Sequence, residues 1–270
     1  MEIKAIDKSS MPVTREILTS DLKRIGILPE DTLLVHASLS ELGWVCGGAQ
    51  SVLLSLTEVL GKKGTLVMPA HSGDWSDPTD WQHPPVPNPW IEIIKATMPA
   101  YDKHLTQTRG MGRISELFRL QPKVKRSGHP QLSFSARGPK ASFITNSKRL
   151  FPQLGMDSPL GRLYDLNAKV LLLGVDYDSN TCFHLAETMI PKTIFKTNGA
   201  AMNIKGKRTW VEFTDCDYES DDFVDCGRAF EMTGKVRIQQ IGFSQSRLFY
   251  IRDAVDFAKD WLTKHRSNQQ

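Results

Sequence analysis

The chain has 270 residues, of which 40% are hydrophobic and 24% are charged, and this composition excludes an intrinsically disordered or collagen-like protein. The 34 Lys and Arg residues exceed the 30 Asp and Glu residues by only four, so the chain lacks the dense positive charge of a nucleic-acid-binding protein. A chain of this length buries a full hydrophobic core without needing disulfides or structural metals.

The cysteines and the apolar segments predict where the protein resides. The four cysteines have no CxxC spacing, and the opening MEIKAIDKSS lacks the apolar core of a signal peptide. No apolar run approaches the roughly 20 residues that a membrane-spanning helix requires. We therefore expect a cytoplasmic protein that contacts neither membranes nor nucleic acids.

Short apolar segments predict buried strands, and they alternate with segments of helical periodicity. Helices are predicted over 14–25 and 49–60, and a glycine follows each of them. The predicted fold class is α/β, with three α/β/α layers around a mostly parallel or mixed central sheet. The strand segments are TLLVH at 32–36, GTLVMPA at 64–70 and KVLLLGV at 169–175.

The remaining sequence predicts a long loop and a strand-rich C-terminal insertion. Residues 71–110 are too rich in Pro and Trp for regular structure, except around 90–97. Because no repeat or linker is visible, residues 1–270 are predicted to form a single domain. Further elements are a helix over 111–120, a strand at 132–137, a helix that starts at Ser179 or Asn180, a hairpin over 194–214 that turns at Lys205–Lys207, and a closing helix over 252–265.

The strongest candidates for catalysis are His184 and Glu187. They lie three positions apart on a predicted helix, which places them on one face. That helix follows a buried strand, and open α/β sheets bind ligands beyond the carboxyl ends of their strands. A histidine beside a carboxylate is typical of proton abstraction. From the spacing alone, a local His–Glu contact without a catalytic role explains the pair equally well.

The turn before this helix carries further polar residues. Asp176 lies at the end of the strand, and we interpret it as a binding residue for a cationic substrate. Asp178 and Asn180 are more simply explained as helix caps.

Two other segments have the residues of an anion site. The loop after the first strand, with its hydroxyls and glycines before a helix, suits a phosphate. Because no GxGxxG or P-loop pattern is present, an ordinary glycine-rich connection is the simpler explanation of these residues alone. In TRGMG at 108–112, Arg109 either binds a second phosphate or is an exposed charge. Phe134 either lines a thioester channel or belongs to the core. The residues of the first segment are Ser38, Leu39, Ser40, Gly43, Gly47 and Gly48.

Other chemistries have weaker support. GFSQS at 242–246 resembles a nucleophile elbow without its final glycine, which disfavours a hydrolase. Cys182 lies two residues from His184 and therefore on another helix face, which argues against a Cys–His dyad. The acidic segment 212–225 is most simply a solvated helix start. A metal-dependent amidohydrolase stays open, with His129, Asp176, His184 and Glu187 as the candidate ligands.

Taken together in chain order, seven motifs resemble the aminoglycoside 3-N-acetyltransferase family of bacteria. The resemblance is dense over about 32–190 and continues more loosely through IGFSQSRLFYIRDAVDFAKDWL. The motifs are LVHASLSELGWVCGGAQSVLLSL, GTLVMPAHSGDWSDPTDW, PPVPNPW, MPAYDKHLTQTRGMGRISELFR, RSGHPQLSFSARG, DSPLGRLYDL and KVLLLGVDYDSNTCFHLAE.

The resemblance implies acetyl-CoA as the acetyl donor, no metal, and a small-molecule amine as the acceptor, namely the 3-amino group of an aminoglycoside-like antibiotic. It implies His184 as the base and Glu187 as its partner or as a substrate-binding carboxylate. Ala70 and Cys182 stand where Thr and Ser are usual, which leaves the acceptor preference open, and a homodimer is left open too. The residues implied at coenzyme A are Ser38, Leu39, Ser40, Glu41, Leu42, Gly43, Thr108, Arg109, Gly110, Met111, Ser133 and Phe134.

The expected mechanism is direct transfer. His184 removes a proton from the amine, which attacks the thioester without a covalent enzyme intermediate. Two alternatives from other classes are a non-catalytic sensor of coenzyme A or a nucleotide, and the metal-dependent amidohydrolase.

Overall fold

The computed structural model describes residues 2–147, 150–191 and 193–266. Within these ranges a seven-stranded sheet has the order β3-β4-β2-β1-β5-β9-β8, and β6 and β7 pair separately. The strands are β1 Thr32–Ala37, β2 Thr65–Pro69, β3 Lys125–Arg126, β4 Phe134–Arg137, β5 Lys169–Leu173, β6 Phe195–Ile204, β7 Lys207–Cys216, β8 Arg237–Ile241 and β9 Ser244–Tyr250.

Helices cover both faces of the large sheet. None of those in the described ranges combines the length and apolar character needed to cross a bilayer. The helices are α1 Glu2–Asp7, α2 Arg15–Ile25, α3 Gly48–Leu60, α4 Ile91–Thr97, α5 Gly112–Arg119, α6 Ala141–Thr145, α7 Pro159–Asp165, α8 Cys182–Glu187, α9 Phe223–Glu231 and α10 Ile251–Arg266.

The centre of the sheet is parallel and its edges are antiparallel. Strand β1 pairs in parallel with β2 on one side and with β5 on the other. Strands β4 and β9 then pair antiparallel to β2 and β5. These central strands are the three apolar segments of the sequence, and the prediction of a mixed sheet in a three-layer α/β/α fold is confirmed.

The side chains of β1 alternate between two hydrophobic cores, which explains its unbroken apolar sequence. Leu34 packs in the core with α6 to α10, and Leu33 and Val35 pack in the opposite core with α2, α3 and α5. His36 continues the Leu34 face by this alternation. The strand therefore ends with an imidazole on the side of the sheet that carries α8.

The predicted hairpin is present as β6 and β7. Its two turn residues, Lys205 and Gly206, have φ values of +50° and +82°. This left-handed conformation at both positions suits a tight two-residue hairpin turn. The hairpin is the strand-rich insertion that the sequence predicted.

GFSQS lies in the turn and first residues of the β8–β9 hairpin and is not a strand-to-helix elbow, which agrees with the weak support for a hydrolase in the sequence. Two other sequence expectations differ from the structure. The helix after β5 starts neither at Ser179 nor at Asn180, because a 3₁₀ turn at Tyr177–Ser179 precedes α8. Only the end of the acidic segment 212–225 is a helix start, because the segment begins within β7, where Asp215 is completely buried, and α9 begins at Phe223.

Candidate active site

A cleft of about 900 Å³ opens where the parallel strands end. His36 and Ala37 of β1, Pro69 of β2, and Val175 shortly after β5 all line it. Since adjacent parallel strands end at one edge of a sheet, loops from three separate parts of the chain converge here. The cleft is therefore in the position where open α/β sheets bind ligands.

His184 lies on α8 in the wall of this cleft. Its Nδ1 is hydrogen-bonded to Oε2 of Glu187, as the three-residue spacing predicted. The imidazole is held between Tyr218 and Phe223, whose ring centroids lie 5.3 and 4.7 Å from its own. Because Glu187 engages Nδ1, Nε2 is the nitrogen left to accept a proton from a ligand.

Glu187 lies behind the histidine and is only 3% exposed. Its Oε1 accepts hydrogen bonds from Nη1 of Arg266 at 2.5 Å and from the backbone N–H of Glu219 at 3.1 Å. Both carboxylate oxygens are thus occupied. The geometry suits a group that orients the imidazole.

The loop at 38–43, here called the donor loop, contributes Ser38, Leu39, Ser40 and Gly43 to the cleft. Glu41 is on the surface, where it pairs with Lys8 at 2.6 Å. Leu42 is completely buried in the core. The alternation arises because residues 39–42 form a 3₁₀ helix, in which successive side chains point in different directions.

The glycines that follow the donor loop bring the backbone to the cleft wall. Gly47 and Gly48 have φ values of +78° and +56°, and they lead into the 13-residue helix α3. A Cβ on Gly48 would have no neighbouring heavy atom within 4 Å. A helix N-terminus beside open space is a favourable place for the phosphates of coenzyme A.

Residues 108–112, here called the glycine segment, are divided between the cleft and the interior. Gly110 and Met111 line the cleft, as does Arg113 just beyond. Thr108 instead donates to Glu116 at 2.8 Å, and Arg109 pairs with Asp74 at 2.8 Å. The cation at the cleft wall is thus Arg113, which the sequence analysis missed because it lies within the predicted helix.

Ser133 and Phe134 lie behind the wall and not in it. Both are completely buried. Ser133 Oγ donates to the carbonyl of Ala70 at 2.7 Å, and the ring of Phe134 meets His71 edge-on, with centroids 5.4 Å apart. In this structure they support the segment that follows β2.

The two aspartates of the turn after β5 have the opposite roles to those expected from the sequence. Asp176 caps the 3₁₀ turn by accepting from the N–H of Tyr177, and it pairs with Arg228 at 2.5 Å. Asp178, interpreted from the sequence as a cap, lines the cleft beside Ser179 and Thr181. Asp178 is therefore the carboxylate near His184 that faces the open space.

Two histidines of the wall were not singled out by the sequence analysis. His36 is the second-last residue of β1 and His71 lies two residues beyond β2, and burial lowers the pKa of each to about 3. Each lies within two residues of the end of a buried strand, and this position was the signal that could have identified them. Tyr218, which follows the hairpin, also lines the cleft.

The residues proposed for a metal site do not converge in the described ranges. No group of three or more metal-ligating side chains is present in that part of the chain. Nδ1 of His129 accepts the backbone N–H groups of Gln131 and Leu132, at 3.2 and 3.1 Å, and so stabilises a turn.

Comparisons with known proteins show the family to which the chain is similar. A model of the aminoglycoside 3-N-acetyltransferase family matches residues 34–263. The SPbeta prophage-derived aminoglycoside N(3')-acetyltransferase-like protein YokD of Bacillus subtilis (strain 168) is 44% identical over 265 residues, which cover 98% of this chain and 97% of YokD. The crystal structure of YokD matches with a TM-score of 0.97 and 43% identity, covering 99% of this chain and 100% of the other.

Two further solved structures are similar and hold ligands. A binary complex of AAC-IIIb with CoASH has a TM-score of 0.82 and 28% identity, covering 94% of this chain and 97% of that chain. AAC-VIa bound to sisomicin has a TM-score of 0.84 and 26% identity, covering 94% of this chain and 98% of that chain.

Proposed function

The chain belongs to the aminoglycoside 3-N-acetyltransferase family and uses acetyl-CoA as donor, and from this premise we propose that it acetylates the 3-amino group of an aminoglycoside-like antibiotic by direct transfer. The observation that carries the proposal is the hydrogen-bonded chain from His184 through Glu187 to Arg266 at the wall of the cleft. A base oriented in this way, beside a loop suited to phosphates, is what amine acetylation from a thioester requires.

The transfer step uses Nε2 of His184 as the base. As the amine nitrogen attacks the thioester carbonyl carbon, Nε2 takes the proton from that nitrogen and the carbonyl π electrons move to the oxygen. The C=O bond then re-forms and the C–S bond breaks. The leaving thiolate takes the proton from the imidazolium, so the products are the amide, CoASH and the neutral base.

Glu187 acts as a positioning residue in this mechanism. Its Oε2 holds Nδ1 of His184 in the protonated form, which fixes the tautomer and stabilises the imidazolium. Because the backbone of Glu219 and the guanidinium of Arg266 occupy Oε1, the carboxylate keeps one orientation throughout. We assign no substrate contact to Glu187.

The donor loop and the glycine segment bind coenzyme A through their backbone. Ser38 and Ser40, with their Oγ atoms 3.2 Å apart, supply hydroxyls at one wall. Gly48 and Gly110 supply backbone in left-handed conformations beside open space. Close approach of main-chain N–H groups to phosphates is typical of such glycine positions.

The acceptor binds on the side of the cleft formed by the turn after β5. Asp178 lines this side within the same turn and helix as His184, so its carboxylate attracts the ammonium groups of an aminoglycoside. Asp176 is already paired with Arg228, and we do not use it for the acceptor.

Direct transfer is favoured over an acetyl-cysteine intermediate. Cys182 is completely buried, burial raises the pKa of its thiol, and its Sγ lies 3.0 Å from Oδ1 of Asn180 as a hydrogen-bond donor. A buried thiol of this kind is a poor nucleophile. We therefore expect Cys182→Ser to keep most of the activity and acetyl-CoA alone to leave no acetyl group on this residue.

The experiment compares His184→Ala with His104→Ala, which removes an exposed imidazole whose ring has no hydrogen bond among the described residues. Release of CoA thiol is followed with acetyl-CoA and sisomicin, and CoA binding is measured by calorimetry. We expect His184→Ala to bind CoA normally and to lose at least about a hundredfold in rate, the low end for a lost general base. His104→Ala should match the parent enzyme.

Other outcomes identify the alternatives. CoA binding without thiol release in the parent enzyme, across a panel of aminoglycosides, would indicate a sensor. Activity that chelators abolish would indicate the metal-dependent hydrolase. A loss of less than threefold in His184→Ala would remove this residue from the role of base.

A further inference from the structure

Three histidines converge on the cleft from three adjacent parallel strands. His36 is the second-last residue of β1, His71 lies two residues beyond β2, and His184 lies on the helix that follows β5. The mechanism uses only His184. The other two imidazoles therefore need a separate explanation.

His71 is a polar group without a protein partner. Neither of its ring nitrogens has a hydrogen-bond partner among the described residues, and Nε2 is also shielded from solvent. A buried polar group left unpaired costs about 1 to 3 kcal/mol. An unpaired buried group in a native protein requires an explanation. The simplest explanation is that His71 pairs with a ligand bound in the cleft that it lines.

The surroundings of His71 keep its ring neutral. Burial is the main reason that its pKa falls to about 3, and the positive charge on Arg126 or on a protonated His36, His129 or His184 would lower it further. Near neutral pH the ring therefore carries one N–H group and no charge. This imidazole is a poor base for an ammonium group, but it remains a good hydrogen-bond donor.

The backbone around His71 is held rigidly. The buried guanidinium of Arg126 donates through Nη2 to the carbonyl of Ala70 at 2.6 Å and to Oγ of Ser72 at 3.1 Å. The backbone N–H of Arg109 donates to the carbonyl of His71 at 2.8 Å. The residues on both sides of His71 and its own main chain are thus fixed, and the last contact links it to the glycine segment.

We propose that His71 donates a hydrogen bond to the thioester carbonyl oxygen of acetyl-CoA and stabilises the negative charge that develops on this oxygen during transfer. The inference rests on the proposed function, since it needs a thioester between the donor loop and His184. His184 takes the amine proton, and His71 serves the oxygen that receives the carbonyl electrons. A rigid, neutral donor suits this role. It needs little reorganisation when negative charge develops on the oxygen, and the imidazole remains uncharged before and after the step.

His71 is better placed for this role than His36. His36 is only 5% exposed and lies on the face of the sheet beneath α8. His71 lies beyond its strand, is partly exposed, and is joined to a segment that itself lines the cleft.

The test uses a pair of substitutions that differ in hydrogen bonding. His71→Leu removes the N–H donor at similar volume, and His71→Gln restores an N–H group. With sisomicin as acceptor, we expect His71→Leu to lower kcat about a hundredfold or more, the usual cost of one lost oxyanion donor, with the KM for acetyl-CoA within about threefold of the parent value. His71→Gln should stay within about tenfold of the parent kcat.

A spectroscopic measurement distinguishes contact with the substrate from a structural role. Infrared spectra of acetyl-CoA labelled with ¹³C at the carbonyl should show a lower carbonyl stretching frequency on the parent enzyme and on His71→Gln than on His71→Leu.

Equal carbonyl frequencies on the parent enzyme and on folded His71→Leu would overturn the proposal, as would a kcat for His71→Leu within threefold of the parent. If the parent enzyme acetylates no aminoglycoside, the proposed function fails separately. The infrared comparison still shows whether His71 meets the carbonyl, because it needs only the bound donor.

Discussion

Arg266, in the last turn of α10, donates a 2.5 Å hydrogen bond from Nη1 to Oε1 of Glu187, 79 residues earlier in the chain. The same guanidinium pairs with Asp222 at 2.7 Å and donates to the backbone carbonyl of Glu219 at 2.9 Å. The C-terminal helix therefore secures the carboxylate that orients His184.

This relationship predicts that Arg266→Met impairs catalysis without removing the base. We expect kcat to fall about tenfold or more, because a buried carboxylate that loses its cation is destabilised and loses its fixed orientation. The KM for acetyl-CoA should stay within about threefold of the parent value, because Arg266 does not line the cleft.

The control for this prediction is Arg252→Met on the same helix, where the exposed guanidinium donates to the backbone carbonyls of Tyr164 and Asp165. It should leave kcat unchanged. A kcat for Arg266→Met equal to that for Arg252→Met would show that α10 does not support the base.

The sequence could predict the parts of this site that depend on local patterns. Three apolar runs gave the parallel strands because strands buried on both faces carry few polar residues. The contact between His184 and Glu187 followed from helical spacing. Arg266 could not be found in this way, because its contact with Glu187 depends on the packing of α10 against α8 and no local spacing reports it.

The sequence could not predict which side chains face the cleft where a single short turn determines their orientation. Asp176 and Asp178 are equally plausible ligands by composition, and only the 3₁₀ turn between β5 and α8 determines that Asp176 caps and Asp178 faces the ligand. Short turns of this kind leave no periodicity in the sequence. The same reason explains why the donor loop exposes Ser40 and buries Leu42.

Gly110 and Gly234 form a matched pair for testing the donor site. Their φ values are +72° and +74°, and a Cβ on either would have no neighbouring heavy atom within 4 Å. Only Gly110 lines the cleft.

Alanine at either position should lower the free energy of unfolding by about 1 to 2 kcal/mol, because the left-handed backbone conformation is unfavourable for a residue with a Cβ. Gly110→Ala should in addition raise the Kd for CoA about tenfold in calorimetry, because its methyl group enters the space assigned to the ligand. Equal Kd values for the two variants would place coenzyme A elsewhere.

Asp178 and Asp176 provide a comparison for the acceptor site. Asp178→Asn should raise the KM for sisomicin about tenfold with little change in the KM for acetyl-CoA, because it removes a carboxylate that attracts the polycation. The effect should weaken with added salt. Asp176→Asn loses its pair with Arg228 on the other side of the turn, so it should alter stability more than acceptor binding. A larger rise in the sisomicin KM for Asp176→Asn than for Asp178→Asn would reverse our assignment.

The buried histidines make the stability of the fold sensitive to acid. Burial lowers the pKa of His36, His71 and His129 to about 3, from an ordinary value of 6.5. At pH 5 the unfolded chain binds a proton on each of the three and the folded chain binds none, so these groups make stability fall as the pH falls below 6.5. Asp215 acts in the opposite direction, because burial raises its pKa to about 6 and the folded state binds the extra proton.

The net difference of about two protons predicts that the free energy of unfolding rises by about 3 kcal/mol per pH unit near pH 5. Urea unfolding at several pH values between 4.5 and 6 measures this slope. His71→Gln removes one titrating imidazole and should make the slope shallower by about 1.4 kcal/mol per unit, and Asp215→Asn should make it steeper by a similar amount. A slope that neither substitution changes would mean that these buried groups keep ordinary pKa values, and part of the His71 population would then be protonated near neutral pH.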